Sequence, residues 1–362
     1  MAFNLAICPW IHCARYDGEI WVENFVEQKH LSFEEENALD EQARRDLINE
    51  RNHLQHLPLV NCTTQYGLSC FEGLKAFPQV DGSLKLFRPD RNCVRMDSSM
   101  KGLRMPPLRK NLLLNAITET VRRNRKIGFT PAYNPKWEDD FWLSGEAVYI
   151  RSFTYTEPGI GINLAKKPWV VTVCTTVSAF FTPGKNNAVT TRRIRATPYG
   201  IGYIKTSANY VCSILARAEA IDEGYMEAIF LDSLTRENIE EGSACNFFAL
   251  FPGKRLVTPA LGDTILPGVT RESVITLARN RGMDVHEEIL PVKKVLDEAL
   301  ECFLTGTAAG ITPLGSLTHQ NRIREFSSLE DDSVSIGLLK ELKSIQYGAT
   351  KDPFGWMFEV RT

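Results

Sequence analysis

Lys205 is the only charged residue between Ala196 and Ala216, in the run ATPYGIGYIKTSANYVCSILA. An amine kept among small and apolar side chains loses hydration. Its pKa falls and it becomes nucleophilic, which suits Schiff-base formation. Composition alone favours the commoner arrangement, a stem on the surface with the ammonium in water. Two segments offer anion sites. In LPGVTRESVITLAR (266–279), Gly268, Val269 and Thr270 open a predicted helix, where unpaired N–H groups and the helix dipole favour phosphate. An ordinary helix start reads the same way. In LTGTAAGITP (304–313), Thr305, Gly306, Thr307 and Ala308 follow a strand and let backbone N–H groups approach an anion. A tight loop packed through small residues is the plainer reading.

Glu241, in NIEEGSACNFFALF, precedes small residues and a buried-looking strand. A carboxylate there can keep a heterocyclic nitrogen protonated, yet the cluster of Glu237, Glu240 and Glu241 taken alone reads as a solvated turn. Arg95, in RPDRNCVRMDSSM, carries the fork that suits phosphate, as do many surface arginines. No one of these signals decides the chemistry. Together they supply an amine, a phosphate cradle, a carboxylate and a second anion site, the parts that a pyridoxal phosphate enzyme needs.

The elements that must position these residues alternate between strand and helix. KNLLLNAITETVRRNRKIGF reads as a helix from near Asn111, a candidate N-cap, to Gly128. AVYIRSFTYT and PWVVTVCTTV read as strands. SAFFTPGKNNA (178–188) is the candidate linker. Beyond it, a helix over 207–223, the strands EAIFLDS and NFFALF, a helix from Thr270 to Gly282, DVHEEILP, a helix near 293–300, ECFLTG and a helix near 333–346 follow. The pattern predicts two α/β domains, the smaller one α+β, with a cleft between them. The boundaries are 1–177 for a small N-terminal domain, 178–188 for the linker and 189–362 for a large C-terminal domain. Residues 34–57 form a charged segment with Leu39, Ala43, Leu47, Ile48 and Leu54 on one side of a helix. A solvated surface helix is expected there, with partner binding as the alternative.

With 362 residues the chain is long enough for two such domains. The net charge of -2 gives no reason to expect nucleic acid or an anionic membrane as partner. Nine scattered cysteines, none in CxxC spacing, argue against zinc ribbons and for a reducing compartment. No secretory signal, Arg-rich transit peptide or membrane span is read, so a cytoplasmic protein is expected.

The wording of the motifs resembles the branched-chain amino acid aminotransferases, fold type IV pyridoxal phosphate enzymes. The similarity runs through YGLSCFEGLKAF (66–77), DGSLKLFRPDRNCVRM (81–96), YIRSFTYTEPGIGIN, GYIKTSANY, EEGSACNFF, LPGVTRES and TGTAAGITP, over roughly residues 60–350. The FEGLKA and LPGVTR blocks are its specific parts. The resemblance implies that the active site lies in the interdomain cleft. It implies that Lys205 forms the Schiff base and shuttles a proton. Arg95, Val269, Thr270 and Thr307 would hold the phosphate, Glu241 the pyridine nitrogen and Tyr210 the 3′ oxygen, with Asn246 supporting the ring. Phe71, Tyr66 and Tyr149 would line an apolar pocket, with Arg151 for a γ-carboxylate and the Thr307–Ala308 turn for the α-carboxylate. The substrates implied are leucine, isoleucine or valine with 2-oxoglutarate, in amino-acid biosynthesis, by a homodimer.

The chain departs from the family pattern in four places. Residues 34–57 look inserted. Ser207-Ala208 stands where a glycine pair is familiar, and Ser152 where proline often follows Arg151. The CxxC of mammalian forms is absent near 308–313. A D-amino acid transaminase or an aminodeoxychorismate lyase is the alternative within the fold type. A metabolite-binding pseudo-enzyme is the alternative outside it, and both Lys205 and Glu241 argue against that reading.

Overall fold

β-Branched and aromatic runs become strands along the chain, and most of the helices break at glycine or at a polar cap. In the computed structural model, which describes residues 7–54, 57–139, 145–177 and 186–361, two units separate by their contacts. The first comprises Met1–Phe180, Thr206–Ala208 and Ile345–Thr362, and the second Phe181–Lys205 and Asn209–Ser344.

The first unit contains β1 (Trp10–Tyr16), β2 (Trp21–Glu27), α1 (Phe33–Ala38), α2 (Glu41–Arg51), α3 (Cys62–Tyr66), β3 (Phe71–Pro78), β4 (Leu84–Phe87), α4 (Pro89–Gly102), α5 (Lys110–Lys126), α6 (Lys136–Asp139), β5 (Ala147–Tyr155) and β6 (Trp169–Val177). Its antiparallel sheet runs from the C-terminal strand Met357–Glu359 through β4, β3, β5, β6 and β1 to β2. Leu113, Ala116, Ile117, Thr120, Val121 and Asn124 form the buried stripe of α5, at the spacing of one helix face. Leu113, Ile117 and Val121 of this stripe and the buried Met96 and Met100 of α4 join Leu74, Val148 and Ile150 of the sheet in one core.

The second unit contains β7 (Asn187–Thr190), α7 (Ala208–Asp222), β8 (Glu227–Leu231), β9 (Asn238–Gly242), β10 (Asn246–Phe251), β11 (Arg255–Pro259), α8 (Val269–Asn280), β12 (Asp284–Glu288), β13 (Leu290–Pro291), α9 (Val292–Glu298), β14 (Glu301–Gly306), β15 (Gly310–Leu314), β16 (Ser316–His319), β17 (Arg322–Glu325) and α10 (Val334–Gln346). Its sheet is mixed. β7 lies parallel to β8 and β16, and β11 parallel to β12, while β10 lies antiparallel to β9, β11 and β14. Phe248 and Phe303 stack across the β10–β14 pair, with ring centroids 5.0 Å apart.

The expected α/β, two-domain architecture holds, with an α+β first unit. Three details differ from the sequence expectation. Residues 345–362 return to the first unit because Met357, Phe358 and Glu359 pair with Phe87, Leu86 and Lys85. The first unit, expected to be the smaller, is the longer of the two. The described part of segment 34–57 contains two helices, because the Asp40 carboxylate accepts from Ala43 N–H and starts α2 afresh. Arg51 and Glu36 form a buried ion pair there, and Arg51 Nη1 also donates to Ile7 O at 2.8 Å. Asn111 is not a cap; α5 begins one residue earlier. The expected linker lies mostly outside the described residues, and its last two residues begin β7.

Candidate active site

The second unit holds the residues read as cofactor contacts apart from Arg95, and strand register aligns part of them. Asn246 at the start of β10 stands opposite Glu241 of β9 on one side and Thr305 of β14 on the other. Cross-strand partners share a face, so these three positions face the same way. Asn246 Nδ2 donates to Glu241 Oε2 at 3.1 Å and to Leu266 O at 2.9 Å. Leu266 N–H donates to the same Glu241 oxygen at 3.3 Å. The other oxygen, Oε1, lies 2.7 Å from Arg195 Nη2. Glu241 is therefore not the solvated turn residue that its acidic neighbours suggest. Burial pushes its carboxyl up to about 7, while Arg195 opposes that rise.

Leu266 leads into the N-terminus of α8, where Gly268 is the cap residue and Val269 and Thr270 form the first turn. A Cβ on Gly268 would stand 2.0 Å from Asn246 Oδ1. Glycine is thus required for the helix terminus to come this close to Asn246. Val269 and Thr270 are both buried. Thr307 and Ala308 lie in the turn between β14 and β15, directly after Gly306. Lys205 Nζ donates to Tyr210 Oη at 2.9 Å. The lysine also lies close enough to Glu241 for its charge to lower that carboxyl's pKa.

These residues fit pyridoxal phosphate. Thr305 Oγ1 is buried without a hydrogen-bond partner among the described residues, and Thr305 itself is 2% exposed. An orphaned hydroxyl on the face of Asn246 and Glu241 suits a group that brings its own donors and acceptors. The α8 terminus would take the phosphate. Glu241 would take the ring nitrogen.

The first unit holds the residues read as contacts to the substrate's side chain. Phe71, Gly73 and Lys75 of β3 pair with Phe153, Arg151 and Tyr149 of β5. Arg151 Cζ lies 4.5 Å from the Phe71 ring centroid and 5.4 Å from that of Tyr149. Arg151 Nη2 donates to Tyr149 Oη at 2.8 Å. Its Nε is buried and has no partner among the described residues. A Cβ on Gly73 would stand 2.0 Å from Tyr149 Oη, so the glycine of FEG makes room for the phenol. Tyr66 stands outside this stack, at the end of α3 and 49% exposed.

Arg95 is also in the first unit. Its Nε and Nη2 donate to the two oxygens of Glu72, at 2.7 and 2.9 Å, and Asn92 Nδ2 adds 2.8 Å to the same carboxylate. This partner was not foreseen. It follows from the strand period, which sends Glu72 to the face opposite Phe71. Thr206 and Ser207, the residues after Lys205, are fixed to Ser69, whose carbonyl accepts from Thr206 Oγ1 at 2.8 Å and from Ser207 N–H at 2.9 Å. Arg195 was missed as well. It lies just outside the uncharged run around Lys205, and no local pattern marks it.

A lysine held by a phenol, a buried carboxylate and a glycine-opened helix terminus, with strands of this order, define a class. The chain belongs to the amino-transferase class IV family, whose sequence pattern matches residues 69–317. It is similar to branched-chain-amino-acid transaminase 1 of Bacillus subtilis, with 34% identity over 305 residues and 82% of each chain. It is also similar to the branched-chain-amino-acid aminotransferase of Haemophilus influenzae, with 34% identity over 322 residues, 84% of this chain and 88% of the relative. Among solved structures, the branched-chain amino acid aminotransferase from Escherichia coli superposes with a TM-score of 0.67. Its identity is 26%, over 85% of this chain and 95% of that one. Another branched-chain amino acid aminotransferase, solved with pyridoxamine 5′-phosphate, superposes with a TM-score of 0.71 at 26% identity, over 85% of this chain and 94% of that one.

Two glycines give a paired test of the packing. Gly268→Ala drives a Cβ into Asn246, so it is expected to lower stability by about 1–3 kcal/mol. Gly262→Ala meets nothing within 4 Å and has no positive φ, so it is expected to be neutral or stabilising by up to about 1 kcal/mol. Thermal unfolding of both variants checks this; equal effects would contradict the packing described.

Proposed function

We propose that the chain transfers the amino group between leucine, isoleucine or valine and 2-oxoglutarate, with pyridoxal 5′-phosphate carried on Lys205. The observation that carries this reading is the setting of Glu241: a buried carboxylate, held on both oxygens, in the same unit as a lysine bonded to a phenol. Bound pyridoxal phosphate supplies the sink for the electron pair left on the substrate's Cα.

The chain's residues do the rest. Lys205 Nζ anchors the cofactor and carries the proton to and from the substrate's Cα. Tyr210, bonded to that nitrogen, orients it and meets the 3′ oxygen. Glu241 holds a proton on the ring nitrogen, and Asn246 holds Glu241. The Val269–Thr270 turn and Thr307 receive the phosphate. Arg95, oriented by Glu72, is assigned to the phosphate by the family resemblance. The N–H groups at Thr307–Ala308 receive the α-carboxylate.

Phe71, Tyr149 and Tyr66 give the branched side chain an apolar surface. Arg151, stacked on Phe71 and bonded to Tyr149, gives the γ-carboxylate a charge on the same strand face. One wall thus serves both substrates in turn. We further propose a homodimer, supported by the apolar stripe of Val211, Ile214, Leu215 and Ile221 that α7 exposes. A cytoplasmic location is supported by nine cysteines that are all free.

A transamination panel with L-leucine, L-valine, D-alanine and aminodeoxychorismate tests the reaction. Turnover of the two branched L-amino acids is expected, and preference for D-alanine would overturn it. Arg151→Met is expected to raise KM for 2-oxoglutarate by about 10–100-fold and for 4-methyl-2-oxopentanoate far less, as loss of a charged hydrogen bond implies. Equal changes would contradict the role given to Arg151. For the assembly, Ile214→Glu is expected to shift the sedimenting species from dimer to monomer. A wild-type monomer would contradict the dimer.

A further inference from the structure

Arg195 belongs to none of the motifs that suggest the reaction. Its side chain and that of Glu241 are each only 6% exposed. Besides meeting Glu241 Oε1 at 2.7 Å, its Nη2 donates to Gly202 O at 3.0 Å and to Thr264 O. The three acceptors lie in three different segments. Glu241 is on β9, Gly202 is in the loop that ends at Lys205, and Thr264 is in the loop that runs through Leu266 to the start of α8. The two loops pack backbone to backbone beside Arg195. A Cβ on Gly202 would stand 2.7 Å from Asp263 O and from Thr264 Cα, and 2.5 Å from Ala196 Cβ. Tyr203 N–H donates to Asp263 O at 3.0 Å.

We infer that Arg195 is a positioning residue for the reaction: its guanidinium keeps Glu241 charged in a buried place and ties the Lys205 loop and the α8 loop to it. This rests on the proposed function, in which Glu241 meets the ring nitrogen of pyridoxal phosphate. The charges that face Glu241 are Arg195 and Lys205, of opposite sign, and Glu240, of like sign. Arg195 is the strongest of them. Without it, burial favours the neutral carboxyl, and the proton shared with the ring nitrogen passes to Glu241. The cofactor then loses positive charge and holds its remaining proton more tightly. Its visible absorbance titrates at higher pH.

The experiment follows that absorbance against pH in the holoenzyme, for wild type, Arg195→Gln and Arg195→Lys. Glutamine keeps an N–H donor for the two carbonyls and removes the charge; lysine keeps the charge. The expected result is a midpoint raised by about one pH unit or more in Arg195→Gln and one within about half a unit of wild type in Arg195→Lys. An unmoved midpoint in Arg195→Gln would overturn the inference, as would equal displacement in both variants. A purely structural role would weaken cofactor binding without moving the midpoint. Should Arg195→Gln not fold, Arg195→Lys decides alone, since a midpoint displaced by a full unit contradicts the charge argument. Wild-type protein that gains no visible band on addition of pyridoxal phosphate would instead overturn the proposed function.

Discussion

Taking the Glu241 carboxylate out of water is the constraint on which the second unit's site depends. An unpaired buried carboxylate is strongly unfavourable, so its oxygens must find donors. It finds them in Arg195, in the Asn246 amide and in the Leu266 N–H. Each donor brings its own segment. Arg195 gathers the loop before Lys205 and the loop before α8, and Asn246 fixes the approach of the α8 terminus through Gly268. One buried charge thus draws together β9, β10, the loop before Lys205 and the loop before α8, and the Asn246–Thr305 pair sets β14 beside them.

A second buried carboxylate organises the first unit. Glu72 is fully buried and fixes Arg95 and Asn92 of α4 against β3. The triplet Phe71-Glu72-Gly73 divides its work by strand period. Phe71 supports Arg151 on one face, Glu72 pins the helix on the other, and Gly73 leaves space for Tyr149. The serine after Arg151 has a reason in the same frame. Glu72, Ser152, Thr172 and His12 stand in register across four strands, all without exposure, and Ser152 and Thr172 share a hydrogen bond of 2.9 Å. Proline there would interrupt a polar row that the sheet buries.

Local elements were legible because their periods are local. The helices over 110–126, 208–222 and 269–280 and the strands over 147–155 and 169–177 match their patterns closely. Lys205 stood out through the neutrality of its surroundings. Glu241 did not, since clustered acids look solvated until strand register shows one of them facing inward. Arg195 and Glu72 are partners supplied by distant segments, and no spacing announces them. The C-terminal strand is three residues long, and only its pairing with β4 gives it a place. The break at Asp40 was written in a cap residue inside a helical period, where the period read louder than the cap.

The proposed reaction stands or falls with Lys205 as the carrier of the cofactor. Borohydride reduction of the protein with pyridoxal phosphate, followed by peptide mass spectrometry, tests this directly. One stoichiometric phosphopyridoxyl label is expected on the peptide that contains Lys205. A label spread over other lysines, or none on that peptide, would contradict it.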